Sequence, residues 1–308
     1  VGSEMCIRDS IRALKAIREQ ERVTLVTTFD ALMNTMAPIE KMWENVLTLE
    51  LGQLLDLKEI QAALIRMGYE KEYQVQTMGQ FSVRGGILDV FPLTEENPIR
   101  IELWGDEIDT IRYFDCESQK SIENIDRVSI YPAAELVLSD EEKAGGIDKL
   151  KAEAKRVSDK LRKQMKTEEA HRVTVMADEL TEEWGELSMY AGMDAFLSYF
   201  FDERVGILDY FNPSDSIIFF DELTRCVEQG KLTETEFSES MKQRLAMGYI
   251  LPGQMNGLFT EKEIVAKLGK YSCIALGALD NKANGLHQLG SYGIHLSLIH
   301  ISEPTRPY

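Results

Sequence analysis

Around Gly105-Asp106 the chain spells two strands that pair with each other: Ile99-Arg-Ile-Glu-Leu-Trp104 before it and Glu107-Ile-Asp-Thr-Ile-Arg-Tyr-Phe114 after it. Apolar and polar residues alternate at period two. A two-residue Gly-x connection matches the twist of paired strands, so this segment predicts a tight antiparallel hairpin. In the simplest register Leu103 faces Ile108, Ile101 faces Thr110 and Ile99 faces Arg112, while Arg100, Glu102 and Trp104 point the other way. One face then packs and the other is charged. Phe81–Val83, Gly86–Phe91 and Val128–Tyr131 read as further strands, with Arg84-Gly85-Gly86 as a place where the chain can turn. Asp56-Leu-Lys-Glu59 opens a helix that carries Ile60, Ala63, Leu64 and Met67 on one face and stops at Gly68. Residues 51–134 are thus expected to form a small antiparallel β-rich domain with one helix packed nearby.

The flanking sequence has a different rhythm. Val23-Thr-Leu-Val-Thr-Thr28 reads as a buried parallel strand, feeding a helix over Ala31–Met36 capped by Asp30. Past Pro132, Ser139-Asp-Glu-Glu142 can cap a helical turn that Gly145-Gly146 loosens. Ile147, Leu150, Ala154, Val157 and Leu161 then mark a narrow seam on a charged helix, residues 147–166, expected to pack on its own domain rather than in a coiled coil. Ser214–Glu222 is an apolar strand ending in two acids, Glu234–Met247 a helix, Thr260-Glu-Lys-Glu263 another helix start, and Ser272–Leu276 one more buried strand. The fold class is therefore α/β: a parallel-sheet domain made of residues 11–50 and 135–295, carrying the β-rich domain as an insertion.

Composition bounds the function. The 308 residues, 44% hydrophobic, are ample for two or three domains. No run approaches the ~20 apolar residues of a membrane span. With 34 basic and 52 acidic side chains the formal charge is −18, so any nucleic-acid contact must be local or supplied elsewhere. Both ends read as non-native. Leu296–Arg306 back-translates without conflict to a transposase adapter used in sequencing libraries, and its reverse complement in another frame gives Val1–Asp9 and two bases of Ser10. Residues 1–10 and 296–308 are accordingly expected to be adapter translation around a stretch cut from a longer chain. Setting aside Glu4, Arg8, Asp9, Glu303 and Arg306 leaves 49 acidic and 32 basic residues, or −17. Cys116, Cys226 and Cys273 remain, widely spaced and odd in number, which fits reduced, buried thiols in a cytoplasmic protein.

Two groups of residues could carry function. Asp221-Glu222 at the end of an apolar strand has the form of a Walker B element, whose carboxylate would hold Mg²⁺. Its partner Gly-x-x-x-x-Gly-Lys-Ser/Thr occurs nowhere in the chain, so nucleotide is not expected to bind in the ordinary way. His171, His287 and His295 stand apart without metal-ligand spacing, and no metal site is expected. Glu102 and Asp109 face each other across the hairpin in the simple register, most simply neutralised by Arg100. Arg84, Arg100, Arg112 and Phe114 are the residue types favoured at protein–protein hot spots. Composition alone favours the alternative, pairing within the domain with Asp89, Glu102, Asp106, Asp109 and Asp115.

Gly79-Gln-Phe-Ser-Val-Arg-Gly-Gly-Ile-Leu-Asp-Val-Phe-Pro92, then Pro98 through Asp115 and Glu117-Ser-Gln-Lys-Ser121, resembles the amino-terminal module of bacterial transcription-repair coupling factors, a module shared with the excinuclease protein UvrB. Gly68-Tyr-Glu-Lys71 and Pro132-Ala-Ala-Glu135 fit the coupling factors better. The resemblance implies a helicase-like domain with a degenerate nucleotide site at Asp221 and Glu222, and an inserted domain that docks onto the excinuclease protein UvrA. Arg100, Arg112 and Phe114 match the docking positions, with Arg84 in support. It further implies a cytoplasmic parent protein, an ATP-driven translocase on double-stranded DNA that dislodges stalled RNA polymerase and recruits excision repair. ATP and Mg²⁺ would belong to motor domains outside this chain, leaving no catalytic residue, cofactor or membrane contact here, and the docking surface would be held autoinhibited until polymerase is engaged. The runner-up is an excinuclease enzyme of the UvrB type whose phosphate loop lies upstream.

Overall fold

In the computed structural model, which describes residues 2–19, 22–134, 136–186 and 193–277, helices α1 (Gly2–Glu19), α2 (Phe29–Met33) and α3 (Ile39–Glu44) come first. Strand β1 (Leu47–Glu50) and helix α4 (Leu57–Arg66) follow, then β2 (Glu70–Lys71), β3 (Gln80–Arg84), β4 (Ile87–Val90), β5 (Ile99–Trp104), β6 (Glu107–Phe114), β7 (Ser121–Asn124) and β8 (Arg127–Ile130). Strands β2 to β7 form one six-stranded sheet in chain order, antiparallel except at the short β2–β3 pair, and β1 and β8 make a separate antiparallel ribbon. Helix α4 starts where expected, with the Asp56 carboxylate accepting from the Lys58 and Glu59 N–H groups, and Gly68 beyond its end takes the left-handed φ of 89°. Leu64 and Met67 bring the helix onto Phe81, Leu88, Ile99, Ile101 and Ile111 of the sheet, with Leu49 and Ile130 closing the core from the ribbon. Within it the Tyr69 hydroxyl donates to the Tyr131 carbonyl at 2.6 Å. Tyr69→Phe leaves that carbonyl unpaired, and urea unfolding should show a loss of about 1–2 kcal/mol.

The hairpin forms, but not in the simple register. Leu103 faces Ile108 as expected, whereas a bulge between Glu102 and Leu103 sets Ile101 opposite Ile111, Glu102 opposite Thr110 and Ile99 opposite Tyr113. The cause is the three-residue spacing of Ile108 and Ile111, both only 1% exposed. Strict alternation would bury Thr110 in place of Ile111; leaving Asp109 unpaired lets both isoleucines reach the core. Arg112 is thereby moved from the apolar face to a place directly opposite Arg100.

Beyond the ribbon lie α5 (Asp140–Lys163), α6 (Thr167–Glu186), α7 (Leu197–Phe200), β9 (Ile217–Asp221), α8 (Leu223–Ala246), α9 (Glu261–Leu268) and β10 (Ser272–Leu276). A Ser139–Glu142 capping box starts α5, which runs unbroken through Gly145-Gly146 instead of loosening there. The reason is packing: a Cβ on Gly146 would lie 2.1 Å from a ring atom of Phe200, so the glycine admits the aromatic ring. Leu150, Ala154 and Leu161 then pack with Ala170, Val173, Ala177 and Trp184 of α6, so the charged helix lies against its own neighbour. Helix α8 begins at Leu223, well before the expected Glu234, and packs across α2.

Strands β9 and β10 pair in parallel, but they are the only parallel strands besides β2–β3 among the described residues, so a helicase-like sheet is not seen here. β10 is half-exposed rather than buried. Val23–Thr28 forms no strand: it has no ladder partner among the described residues, Val26 is fully solvated, and Thr28 rather than Asp30 caps α2 through its hydroxyl at 3.2 Å from the Ala31 nitrogen. Among the described residues no helix is long and apolar enough to cross a membrane, and no group of three or more His, Cys, Asp or Glu is placed to hold a metal. His171 is exposed on α6, while His287 and His295 lie outside the described residues. Cys116, Cys226 and Cys273 are half-buried free thiols, and burial pushes each up from its ordinary pKa.

Candidate docking face on the six-stranded sheet

The face turned away from the core is crossed by a polar row, Ser82, Asp89, Arg100, Arg112 and Asn124, each opposite the next on neighbouring strands. A second row holds Arg84, Ile87, Glu102 and Thr110. Asp89 anchors the face, with a side chain only 2% exposed. Its carboxylate accepts from Arg100 Nε at 2.7 Å and Nη2 at 2.8 Å, and from Arg84 Nη2 at 3.0 Å. Arg100 is fixed from two more directions. It donates to Gln119 Oε1 at 2.8 Å, and its guanidinium sits 4.3 Å from the centre of the Phe114 ring. The hydrogen-bonded Asp89 raises the Arg100 pKa, so this arginine stays charged.

Arg112 grips Glu102 with both terminal nitrogens, Nη1 lying 3.0 Å from Oε2 and Nη2 meeting Oε1. The Thr110 hydroxyl adds a donor to Oε2 at 3.2 Å. Hydrogen bonding from Arg112 is the main cause holding the Glu102 carboxyl below its ordinary pKa, against the opposing effect of burial. A carboxyl whose folded pKa is depressed contributes stability above its unfolded pKa and loses it as pH falls through the folded value. Carbon-detected titration should therefore place the Glu102 midpoint below that of an ordinary glutamate. Arg112→Gln should return it upward, and an unchanged midpoint in that variant would contradict the pairing.

Three guanidinium groups meet two carboxylates in these rows, and Glu107, opposite Trp104, adds a third carboxylate to the same side. Pairing within the domain, which composition favoured, is thus realised at Asp89 and Glu102. Glu102 and Asp109 do not form a facing pair, because the bulge separates them, and Arg112 rather than Arg100 neutralises Glu102. Phe114 is 1% exposed and lies beneath Arg100, so it supports the face instead of offering itself to a partner. The exposed aromatics are two others: Trp104, at 84%, continues the side of β5 that bears Arg100 and Glu102, and Tyr73, at 83%, lies beside Arg84 with ring centre and guanidinium 6.0 Å apart. In the sequence Trp104 is legible only as a polar-face residue. That it is an aromatic among charges was the available signal.

Asp221 ends β9 and Glu222 follows it as the cap of α8, and neither is brought to the arginines. Asp221 is exposed, and Glu222 takes a left-handed φ of 54° where the chain turns into α8.

The UvrB interaction domain family matches residues 47–136, which run from the start of β1 to just beyond β8 and so take in α4, the ribbon and the whole six-stranded sheet. Over 231 residues the chain is 32% identical to the transcription-repair-coupling factor of Bacillus subtilis (strain 168), covering 75% of this chain and 19% of that protein. Over 260 residues it is 30% identical to the transcription-repair-coupling factor of Staphylococcus aureus (strain MRSA252), covering 82% of this chain and 21% of that one. The Staphylococcus haemolyticus protein of the same name is 28% identical over 259 residues. The chain spans about a fifth of the length of these relatives.

Proposed function

This chain belongs to the transcription-repair-coupling factor family and carries the UvrB interaction domain, and from that premise we propose that it is a recruitment module that docks onto UvrA through the arginine face of the six-stranded sheet. The observation that carries the reading is a coincidence of place: the sheet with the arginine-bearing, aromatic-flanked face lies wholly inside the matched residues 47–136. Arg84 keeps donors free beyond its single bond to Asp89, and at 38% side-chain exposure it can reach a partner carboxylate. Arg100 and Arg112 are held in place beforehand, so little rotamer freedom is lost on docking. Trp104 gives the same surface an aromatic anchor at the end of β5.

In the parent protein this module would bring excision repair to RNA polymerase stalled on double-stranded DNA. ATP and Mg²⁺ would act in motor domains elsewhere, and no ATP hydrolysis is assigned to the residues here. The alternative of a UvrB-type excinuclease draws support from Asp221-Glu222 at a parallel strand-to-helix turn, and predicts ATPase activity.

Titration of labelled UvrA with the chain tests the reading. Reversing Arg100 would set a carboxylate against buried Asp89, so the informative variant is Arg84→Glu at the exposed edge. It should weaken binding by roughly 2 kcal/mol, about thirtyfold, with its melting transition retained. Equal affinity in the folded variant would refute the assignment.

A further inference from the structure

From Lys149 onward helix α5 and the turn after it reverse the charge of the chain around them, the helix's own acidic first turn included. Residues 149–166 hold six lysines and two arginines against two carboxylates, Glu153 and Asp159, in a chain with 34 basic and 52 acidic side chains. All eight cations are exposed, because Leu150, Ala154 and Leu161 turn the apolar seam toward α6 and leave the outer arc to solvent. Only Lys149, Arg156 and Arg162 form ion pairs, with Asp202, Glu153 and Asp159. Lys151, Lys155, Lys160, Lys163 and Lys166 form no ion pair among the described residues, although Asp159 stands four positions from both Lys155 and Lys163.

The arrangement has a direction. Lys151, Lys155 and Arg162 follow one flank of the helix and line an open groove of about 300 Å³ between α5 and α6, where they outnumber its two carboxylates, Asp159 and Asp178. Lys160 and Lys163 lie on the outer side. At the end of the row Met165 takes a left-handed φ of 62° and is 86% exposed between Lys163 and Lys166. At 1.5 Å per residue the helical part of the row, from Lys149 to Lys163, is roughly 21 Å long, about six base-pair steps of duplex DNA.

We propose that this face of α5 binds the phosphate backbone of duplex DNA without reading its sequence. Residue type decides between a polyanion and an acidic protein surface. Lysine is depleted at protein–protein interfaces, whereas unpaired lysines are what phosphate neutralisation and counterion release use. The row carries no aromatic that could stack on an unpaired base, and its lysines, which outnumber its two arginines three to one, neutralise phosphates whatever the sequence. The proposal is independent of the docking reading, which uses the sheet of residues 47–136.

Fluorescence anisotropy of a labelled duplex of about 20 base pairs at about 50 mM salt, titrated with the 308-residue chain, tests it. Binding should be measurable, insensitive to sequence and steeply weakened by salt. Lys151→Glu, Lys155→Glu, Lys160→Glu and Lys163→Glu together should lower affinity at least about tenfold and shrink the slope of log K against log salt by about 2 or more. Replacing the same four lysines with arginine should preserve both. Arg84→Glu, on the sheet, should leave DNA binding intact, so failure of one proposal is distinguishable from failure of the other. No binding at low salt, equal binding by the folded quadruple variant, or tighter binding of labelled poly-glutamate than of DNA would each overturn it.

Discussion

Asp89→Ala is expected to cost about 3 kcal/mol or more of unfolding free energy, the range for removing one partner of a buried ion pair. Asp89 has almost no exposed surface and receives three hydrogen bonds from two arginines. Without it Arg84 can turn outward to water, but Arg100 cannot. Its guanidinium is pinned over Phe114 and only 13% exposed, so its charge is left with Gln119 as partner. Asp89→Asn keeps the shape and one acceptor and should lie between wild type and Asp89→Ala. Pairing Asp89→Ala with Arg100→Met should recover part of the loss, because the stranded charge is removed along with its partner. Chemical denaturation of the four proteins measures all of this. A cost below about 1 kcal/mol for Asp89→Ala would mean that the anchor is dispensable.

The sheet was legible in the sequence wherever the rule was local. Alternation, the Gly105-Asp106 turn and the Asp56 cap each concern residues within a few positions of one another, and all three appear where expected. The register of the hairpin was not, although its cue was present: Ile108 and Ile111 are three apart in a strand of period two, and only the depth of the core decides that both must be buried. That one bulge determines the chemistry of the face, because it carries Arg112 to the side of Arg100 and Glu102. Gly145-Gly146 misled for a related reason. Glycine weakens a helix by propensity, but at Gly146 its lack of a side chain serves the approach of Phe200, some fifty residues along the chain. Val23–Thr28 has the composition of a strand and no partner beside it among the described residues, and composition cannot supply a ladder.

Exposure separates Trp104 from Phe114 on the candidate face, and gives the sharpest expectation for docking. Trp104→Ala should weaken binding to UvrA by about 2 kcal/mol or more, the scale of an aromatic hot spot, while stability stays within about 0.5 kcal/mol. At 84% exposure the indole loses little by truncation in the free chain, and the cost falls on the complex. Phe114→Ala should do the reverse at first measurement. The ring is 1% exposed under Arg100, so its loss opens a cavity and removes the cation's support, costing about 3–5 kcal/mol of stability. Phe114→Leu, which fills most of the space, should recover much of that stability and keep the affinity of the wild type, since Phe114 reaches the partner only through the position it gives Arg100. Calorimetric titration beside urea denaturation of the three variants distinguishes contact from support. If Trp104→Ala bound normally while folded Phe114→Leu did not, the anchor would lie beneath the sheet surface, and the docking face drawn from exposure would be wrong.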